Sequence, residues 1–365
     1  MDQIPHQTPP QLPPQGARID ASAPPPNRLK RGCGIGCALL ALIVIGVAGG
    51  MLFAMGQAAP YAQRLLAKDG SPPRAVRQTP VRYGQSDDKI AIINVHGVIY
   101  SGGSGRGVVG SGDLIEQLRA AQEDGVKAIV LDLNTPGGEV TATDEVHHEM
   151  QKLREDGIKI VSCMRTVAAS GGYYLAAGSD HIVANRLTIT GSIGVVIGGM
   201  NYADLLEKIG VTPEVYTSGA LKDMLSPMRK RDPNDLEDPE VKLIRDMVAE
   251  THLEFATIVA DGRPDLTLEQ VKTGPIGDAA IFSGVRAKEL GLVDQIGYLE
   301  DAIDKAQELA GLTDPTVMRY GRMPSNITDL LFSKNETPPT LAEMLSPHGQ
   351  VIKKGQLYYL YPLSQ

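Results

Sequence analysis

The stretch VKAIVLDLNTPGGEV, residues 126–140, decides the fold of this chain. It opens with the nearly continuous apolar run VKAIVLDLN, which is typical of a strand buried on both faces of a parallel sheet. The TPGG turn, the helical pattern TDEVHHEMQKLREDG and the strand pattern IKIVSCM follow in that order. A strand, a helix and a second strand in succession predict a βαβ unit.

The same alternation continues on both sides of this unit. Strand and helix patterns precede it in KIAIINVHGVI (89–99) and GDLIEQLRAAQEDG (112–125). Further helical patterns follow it in NYADLLEKIG (201–210), DPEVKLIRDMVAETHLEFATIVADG (238–262), SGVRAKELGLVDQIG (283–297, running into a short strand) and YLEDAIDKAQELAG (298–311). The sequence therefore predicts an α/β fold of repeated βαβ units around a parallel sheet.

The first part of the chain has a different composition. Residues 1–31 are rich in proline and glutamine and are expected to be a disordered tail, because so few large apolar residues cannot form a core. Residues 32–59 carry no charge and are long enough to cross a bilayer as one helix. A cleaved secretory signal, with Gly56 and Ala58 near the cleavage site, is the alternative. A linker is expected at 60–88, and the chain after Gly311, residues 312–365, is left unassigned.

Composition excludes some classes of function. The formal net charge is −8, so nothing favours a nucleic-acid partner. Cysteines stand at 33, 37 and 163, which implies neither a disulfide framework nor a spaced metal site. Cys163 lies in a strand pattern and is expected to be a buried core thiol.

Two short segments carry residues suited to chemistry. Ser170 stands in AASGGYY, residues 168–174, directly after a predicted strand. This serine is either the N-cap of a short helix or a nucleophile, with Gly171 behind it as a backbone donor to an oxyanion. The TPGG turn is either an ordinary strand-to-helix turn or a second source of a backbone N–H. Both segments end strands at the same sheet edge, where sites of open α/β folds lie.

A nucleophilic serine needs a general base. Among the histidines, His181 lies in a strand-like run and is expected to be structural. His147 and His148 are adjacent on one helix and point about 100° apart, so they make a poor zinc site.

Lysine is the other possible base, because in an apolar pocket it can lose its proton near neutral pH. The first three lysines after the serine differ in their surroundings: Lys208 ends a helix, Lys222 follows a predicted strand and small-residue turn, and Lys230 lies in a basic cluster. For each of them an ordinary surface lysine remains an open alternative.

Four separated motifs resemble a known family in order and spacing: LNTPGGEV (133–140), AASGGYYLAAGSDHIVANRLTITGSIGV (168–195), YTSGALKDMLSP (216–227) and SGVRAKELGLVDQIG (283–297). Together they span roughly residues 89–311 and resemble the signal peptide peptidase A family of membrane-bound Ser-Lys proteases. The resemblance implies a Clp-like or crotonase-like α/β spiral, here preceded by the transmembrane helix, with 89–311 as the peptidase domain.

The resemblance also implies roles for five residues. Ser170 matches the nucleophile, Lys222 the general base, and Ser192 a hydroxyl that helps to position the lysine. Gly138 and Gly171 match the backbone donors of the oxyanion hole. Asp223, next to the lysine, would keep it protonated if the two were paired, so we expect its carboxylate to point away.

A function follows from this resemblance as an expectation. It implies a serine endopeptidase that cleaves remnant signal peptides and other unfolded apolar segments, with no metal or other cofactor. It implies a bacterial inner-membrane protein with a cytoplasmic N-terminus and an extracytoplasmic catalytic domain, which assembles as a homo-oligomer with sites at subunit interfaces. A crotonase-type acyl-CoA enzyme and an inactive membrane scaffold of the same fold remain alternatives.

Overall fold

The described part of this computed structural model comprises residues 76–105, residues 107–322 and the backbone of 358–360. The chain divides into two units, Met1–Pro73 and Arg74–Gln365, and every described residue belongs to the second. The predicted tail at 1–31 and the predicted anchor at 32–59 lie outside the described residues. Within the described ranges, no helix has both the length and the apolar character needed to span a membrane.

Thirteen strands, numbered in chain order, lie in the described residues. Nine of them form the main sheet: β1 (Val76–Arg82), β2 (Lys89–His96), β5 (Ala128–Thr135), β7 (Lys159–Ala169), β8 (His181–Ala184), β9 (Ile189–Gly191), β10 (Ile281–Ser283), β11 (Gln295–Ile296) and β12 (Thr316–Arg322). The other four form a small sheet: β3 (Val98–Tyr100), β4 (Val108–Gly110), β6 (Gly137–Glu139) and β13 (Tyr358–Leu360).

Nine helices lie in the described residues. They are α1 (Ser111–Glu123), α2 (Val140–Glu155), α3 (Gly171–Ala177), α4 (Ala203–Lys208), α5 (Pro239–Gly262), α6 (Leu268–Lys272), α7 (Gly274–Gly277), α8 (Gly284–Glu289) and α9 (Leu299–Leu309).

The main sheet runs in the order β1-β12-β2-β5-β7-β8-β11. In this spatial order every pair of neighbouring strands is parallel except the first, in which β1 is antiparallel to β12. The last residues of β7 leave β8 and pair instead with β9, which β10 extends in the antiparallel sense. The fold is therefore mixed α/β around a mostly parallel sheet, as the alternation of patterns predicts.

Two helices end in the same way, at an Asp-Gly pair. Gly125 after α1 and Gly157 after α2 have φ values of 70° and 86°, which glycine adopts without a steric penalty. Their amides donate to Gln122 and Arg154 oxygens at 2.9 Å, which closes each helix before the next strand begins. The loops are consequently short, and parallel strands follow one another closely.

The core has two layers, one on each face of the main sheet. The larger layer includes Ile93, Leu131 and Met164 from the sheet with apolar residues of α1, α2, α3 and α5. On the opposite face α9 covers a smaller layer that includes Val130 and Val161. Burial on both faces explains why the central strands read as continuous apolar runs.

The structure differs from the sequence prediction in two places. The main sheet extends beyond residues 89–311, because β1 lies within the predicted linker and β12 within the unassigned C-terminal part. The prediction of a strand just before Lys222 is wrong, because residues 211–217 form no strand. Their side chains are all exposed, so no sheet face holds the segment extended.

Candidate active site

Ser170 lies at the junction between β7 and α3. Its amide donates to the Gly191 oxygen at 2.8 Å, and its carbonyl accepts from the Tyr174 amide at 2.9 Å. It therefore occupies the N-cap position, but its side chain makes no capping hydrogen bond. The backbone has φ 54° and ψ −117°, a conformation that residues with a Cβ rarely adopt. Helix capping accounts for the position of this serine in the chain, but it does not explain why a hydroxyl is present there.

The Ser170 hydroxyl is buried without a partner. The residue is 0% exposed, and its Oγ forms no hydrogen bond among the described residues. Buried polar atoms of native proteins are nearly always paired, so an unpaired buried hydroxyl calls for an explanation.

Ser192 lies beside Ser170 at the end of the neighbouring strand. Ala169 of β7 pairs with Gly191 of β9. Ser170 directly follows the first of these residues and Ser192 directly follows the second. Ser192 has φ 52°, is 8% exposed, and donates its amide to the Ala280 oxygen at 2.9 Å. Two non-glycine residues with positive φ thus end adjacent parallel strands.

The two glycines predicted as oxyanion donors are close together. A Cβ built on Gly171 would lie 3.2 Å from the Gly138 nitrogen and 3.1 Å from the Gly137 Cα. A Cβ on Gly138 would lie 1.9 Å from the Ile99 oxygen, so β3 excludes any side chain there. The start of α3 and strand β6 therefore approach each other through glycine backbone.

Two tyrosines hold α3 behind the serine. The Tyr173 hydroxyl is buried and donates to the Leu292 oxygen at 2.9 Å. The Tyr174 hydroxyl donates to Asp144 on α2 at 2.7 Å, and its ring lies 5.2 Å from the His147 ring. Since α2 begins directly after β6, this hydrogen bond joins the helix behind Ser170 to the helix behind Gly138.

Lys222 lies apart from this cluster. It is exposed in a series of turns, and its amide donates to the Gly219 oxygen at 3.1 Å. Among the described residues its Nζ has no hydrogen-bond or ion-pair partner, and Ser170 Oγ has none either, so the two groups are not in contact. Asp223 forms an ion pair with Arg229, Nε to Oδ2 at 3.4 Å, so its carboxylate is engaged away from the lysine.

The other two lysines have ordinary surface environments. Lys208 lies in the last turn of α4 and is exposed. Lys230 forms ion pairs with Asp204 at 2.8 Å and Glu207 at 2.6 Å, and these contacts raise its pKa. With its pKa raised, Lys230 stays protonated near neutral pH and cannot accept a proton from serine.

Two histidines and the buried cysteine have structural surroundings rather than catalytic ones. His181 lies 3.4 Å from the Gln295 side chain, and burial lowers its pKa. Burial likewise lowers the pKa of His147, which contacts Gln151 at 3.1 Å. Cys163 is buried, and desolvation raises the pKa of its thiol to about 12, which makes it unreactive.

Sequence reasoning missed two polar residues beside the glycines. Glu139 is buried, its Oε2 accepts the Ser101 amide at 2.9 Å, and its Oε1 has no partner among the described residues. The Thr143 hydroxyl donates to the Glu139 carbonyl at 2.8 Å and lies 3.0 Å from a Cβ built on Gly171. The sequence could have pointed to both residues, because Glu139 directly follows the two glycines and Thr143 is one helical turn further on.

A cavity of about 800 Å³ begins two residues after Ser192. Its walls are mostly apolar. The chain after β9 and helix α5 contribute two thirds of the lining, including Gly194, Val195, Ile197, Val241, Ile244 and Val248, and the rest comes from residues 225–233 and 277–279. Such a cavity is large enough to hold several apolar side chains.

Comparison with known proteins gives the family. Residues 152–313 match the model of peptidase family S49. The chain is 42% identical over 250 residues to a protein named signal peptide peptidase SppA in Enterococcus faecium, covering 67% of this chain and 70% of that one. It is 38% identical to Protease 4 of Salmonella typhi, covering 61% of this chain and 35% of the relative. It is 32% identical to the chloroplastic serine protease SPPA of Arabidopsis thaliana, covering 67% and 36% respectively.

The parallel α/β fold and the buried serine at its sheet edge agree with a hydrolase. The chain belongs to peptidase family S49 and is a serine peptidase that acts on peptides. The resemblance found in the four motifs is thereby confirmed, and the assignment favours a peptidase over the acyl-CoA alternative.

Proposed function

We propose that this chain is a membrane-anchored endopeptidase of Clp-like or crotonase-like spiral fold, with Ser170 as nucleophile and Lys222 as general base. The observation that carries the proposal is the Ser170 hydroxyl, which is buried, makes no hydrogen bond among the described residues and sits on a strained backbone. These properties suit a nucleophile that awaits a base and a substrate.

The proposed reaction has two steps. Lys222, in its neutral form, takes the hydroxyl proton as Ser170 Oγ attacks the peptide carbonyl. The amides of Gly138 and Gly171 donate to the oxygen that becomes negative, and the lysine passes the proton to the leaving amine. Water then attacks the acyl-enzyme with the same lysine as base. Ser192, adjacent to Ser170 at the sheet edge, holds the lysine through its hydroxyl.

The proposed substrates are remnant signal peptides and other unfolded apolar segments. The mostly apolar cavity, whose lining begins two residues after Ser192 in the chain, supports this choice because its walls can pack against apolar side chains of a peptide. The uncharged run at 32–59 supports a membrane anchor. The family resemblance is the basis for proposing the bacterial inner membrane, a cytoplasmic N-terminus and a catalytic domain outside the cytoplasm. Such an anchor would keep the peptidase next to these substrates.

We further propose that the active site is completed in a homo-oligomer. Lys222 does not contact Ser170 within one chain, and it lies in a region with many exposed large apolar side chains, among them Met200, Leu205, Ile209, Tyr216, Leu221 and Leu236. A second copy that covered this region would bury apolar surface and bring one subunit's lysine towards another subunit's serine.

Labelling with a fluorophosphonate tests the nucleophile. The wild-type protein should be labelled on Ser170, and Ser170→Ala should not be labelled. Unchanged labelling in the variant would place the nucleophile elsewhere, and a folded wild type that is neither labelled nor active would favour the inactive scaffold.

Mixing two inactive variants tests the shared site. Ser170→Ala chains are combined with Lys222→Ala chains under conditions in which subunit exchange is verified. Part of the activity should return, because some interfaces then pair an intact serine with an intact lysine. No return of activity would place both residues of a site within one chain.

A further inference from the structure

The carboxylate of Asp223, next to the proposed base, is held by one arginine. It pairs with Arg229, Nε to Oδ2 at 3.4 Å, and has no other ion pair among the described residues. Position in the chain alone does not keep this carboxylate away from Lys222. Residues 220–225 form turns, so the alternation of side chains along an extended segment does not apply here. The contact with the arginine is what directs the carboxylate elsewhere.

Arg229 is in turn held by a buried carboxylate. Glu240 is 1% exposed at the start of α5 and forms ion pairs with Arg229 and Arg231. Its Oε1 also accepts the Leu225 amide at 2.7 Å. The Arg229 guanidinium therefore forms a fork, with Nε towards Asp223 and Nη2 towards Glu240. Helix α5 thus fixes both the arginine and the backbone that follows the lysine.

The charges of this cluster balance, with two carboxylates, Asp223 and Glu240, and two arginines, Arg229 and Arg231. If Arg229 is removed, Glu240 keeps Arg231, but Asp223 loses its only ion pair among the described residues. The cation next to it in the chain is then Lys222. A carboxylate close to an ammonium group favours the charged form. The lysine would stay protonated and could not take the serine proton.

Other charged groups of the two helices beside this segment are engaged elsewhere. Helix α4 contributes Asp204 and Glu207, which pair with Lys230 at 2.8 Å and 2.6 Å. Helix α5 contributes Arg245, which donates to a backbone carbonyl at 3.0 Å. Within the described residues none of these groups forms an ion pair with the carboxylate next to Lys222. No substitute for the arginine is therefore already in place.

We propose that Arg229 is a positioning residue for the general base, because it holds the Asp223 carboxylate away from Lys222 and leaves the lysine free to lose its proton. The inference rests on the proposed role of Lys222. It applies whichever subunit supplies the serine, since the lysine, the carboxylate and the arginine belong to one segment of one chain.

The pH profile of kcat/KM in the full-length chain tests this role. Cleavage that needs a neutral lysine rises with pH. Arg229→Gln should move the rising limb to higher pH, so that kcat/KM falls several-fold below the wild-type midpoint and recovers well above it. A loss that is equal at every pH would mean a merely structural role and would overturn the inference. Melting curves check that the variant is folded.

A second substitution shows whether Arg229 acts through Asp223. In Asp223→Asn combined with Arg229→Gln the limb should return to its wild-type position, because no carboxylate is left to pair with the lysine. A shift that persists in the double variant would mean that the arginine acts by its own charge, contrary to the inference. Lys230→Gln is the matched control, since it removes an equal charge from the same basic cluster and leaves the Asp223 contact intact. Its profile should match the wild type.

If Arg229→Gln does not fold, Arg229→Lys decides the question. A lysine keeps one charge but cannot form the fork, so the limb should move in the same direction by a smaller amount. A wild-type profile in folded Arg229→Lys would overturn the inference.

Failure of the inference can be told from failure of the proposed function. Full activity in Lys222→Ala would remove the base and the inference together. An inactive Lys222→Ala with an unmoved limb in Arg229→Gln would rule out the role of Arg229 alone.

Discussion

The surroundings of Ser170 and of Lys222 differ in almost every physical respect. Ser170 is buried at the end of a central strand, and its neighbours on both sides are held by backbone pairing and by the tyrosines of α3. Lys222 is exposed in turns within a region whose apolar side chains are also exposed, including Tyr216 at 92%. One half of the proposed site is built into the core, and the other half lies on the surface.

This difference indicates which half the isolated chain can position. The geometry of Ser170 follows from packing that the domain forms on its own, so it should survive changes elsewhere on the surface. The geometry of Lys222 depends on whatever covers the exposed apolar region. Substitutions in the two regions should therefore separate loss of activity from loss of stability.

The largest expected effect is that of Lys222→Ala. Loss of the general base should lower kcat/KM by about 10⁴-fold. The melting temperature should not change, because the side chain is exposed and unpaired among the described residues. Peptide cleavage and calorimetry measure the two effects. Lys208→Ala, which also removes an exposed lysine, should be silent, and full activity in Lys222→Ala would move the base elsewhere.

Ser170→Ala should be equally inactive but should behave differently on heating. The substitution removes a buried hydroxyl that has no partner among the described residues, so no favourable hydrogen bond is lost. The melting temperature should stay the same or rise. A clear fall would mean that the hydroxyl has a structural partner, and that Ser170 is held by its side chain rather than by its backbone.

The central sheet can also be weakened without touching either residue, at Asp132. This carboxylate is buried in β5 and contacts Arg165 on β7 at 2.6 Å, Arg319 on β12 at 3.5 Å and His96 on β2 at 3.7 Å. Asp132→Ala should lower the free energy of unfolding by about 1.5–3 kcal/mol, since the arginines left behind are partly exposed and can be solvated. Chemical denaturation measures this, with the exposed Asp156→Ala as control.

The same carboxylate predicts a loss of stability in acid. Burial alone would raise the pKa of Asp132, but the hydrogen bonds and charges of His96 and Arg165 outweigh burial and hold the pKa below its usual value. Its stabilising contribution is therefore complete above the unfolded pKa of about 3.9 and disappears as pH falls through the lower folded value. Denaturation curves should show this loss in the wild type and a smaller one in Asp132→Ala.

A smaller effect is expected at Tyr174, which links the two halves of the proposed oxyanion hole. Tyr174→Phe removes the hydrogen bond to Asp144 and keeps the ring contacts with His147 and Phe255. A loss of about 1 kcal/mol at the transition state corresponds to a several-fold fall in kcat. KM should not change. Asp144→Ala should reproduce the effect, and the double variant should add nothing to it.

Much of this fold could be predicted from the sequence, because the signals were local. The buried strand β5 and the helix α2 show continuous apolar and helical patterns that end at turn residues. Strand β12 was missed because charged residues interrupt its apolar pattern, and β1 because most of its residues are exposed at the edge of the sheet.

The site was less predictable than the fold. Motif spacing drew attention to Ser170, Gly138 and Gly171, but nothing local encodes the positive φ of Ser170 and Ser192. That conformation arises where β7 changes its neighbour from β8 to β9, which is a long-range event. The prediction of a strand before Lys222 failed because that segment has no buried face, so no long-range packing holds it extended.

The backbone of Ser170 also bears on how this protein can evolve. A residue held in so sparsely populated a conformation costs roughly 1–3 kcal/mol, and glycine would relieve most of it. Ser170→Gly should therefore melt at a higher temperature than the wild type while being inactive. Selection for heat resistance alone would favour glycine at this position, so under the proposed role this serine is a compromise that gives up stability for reactivity.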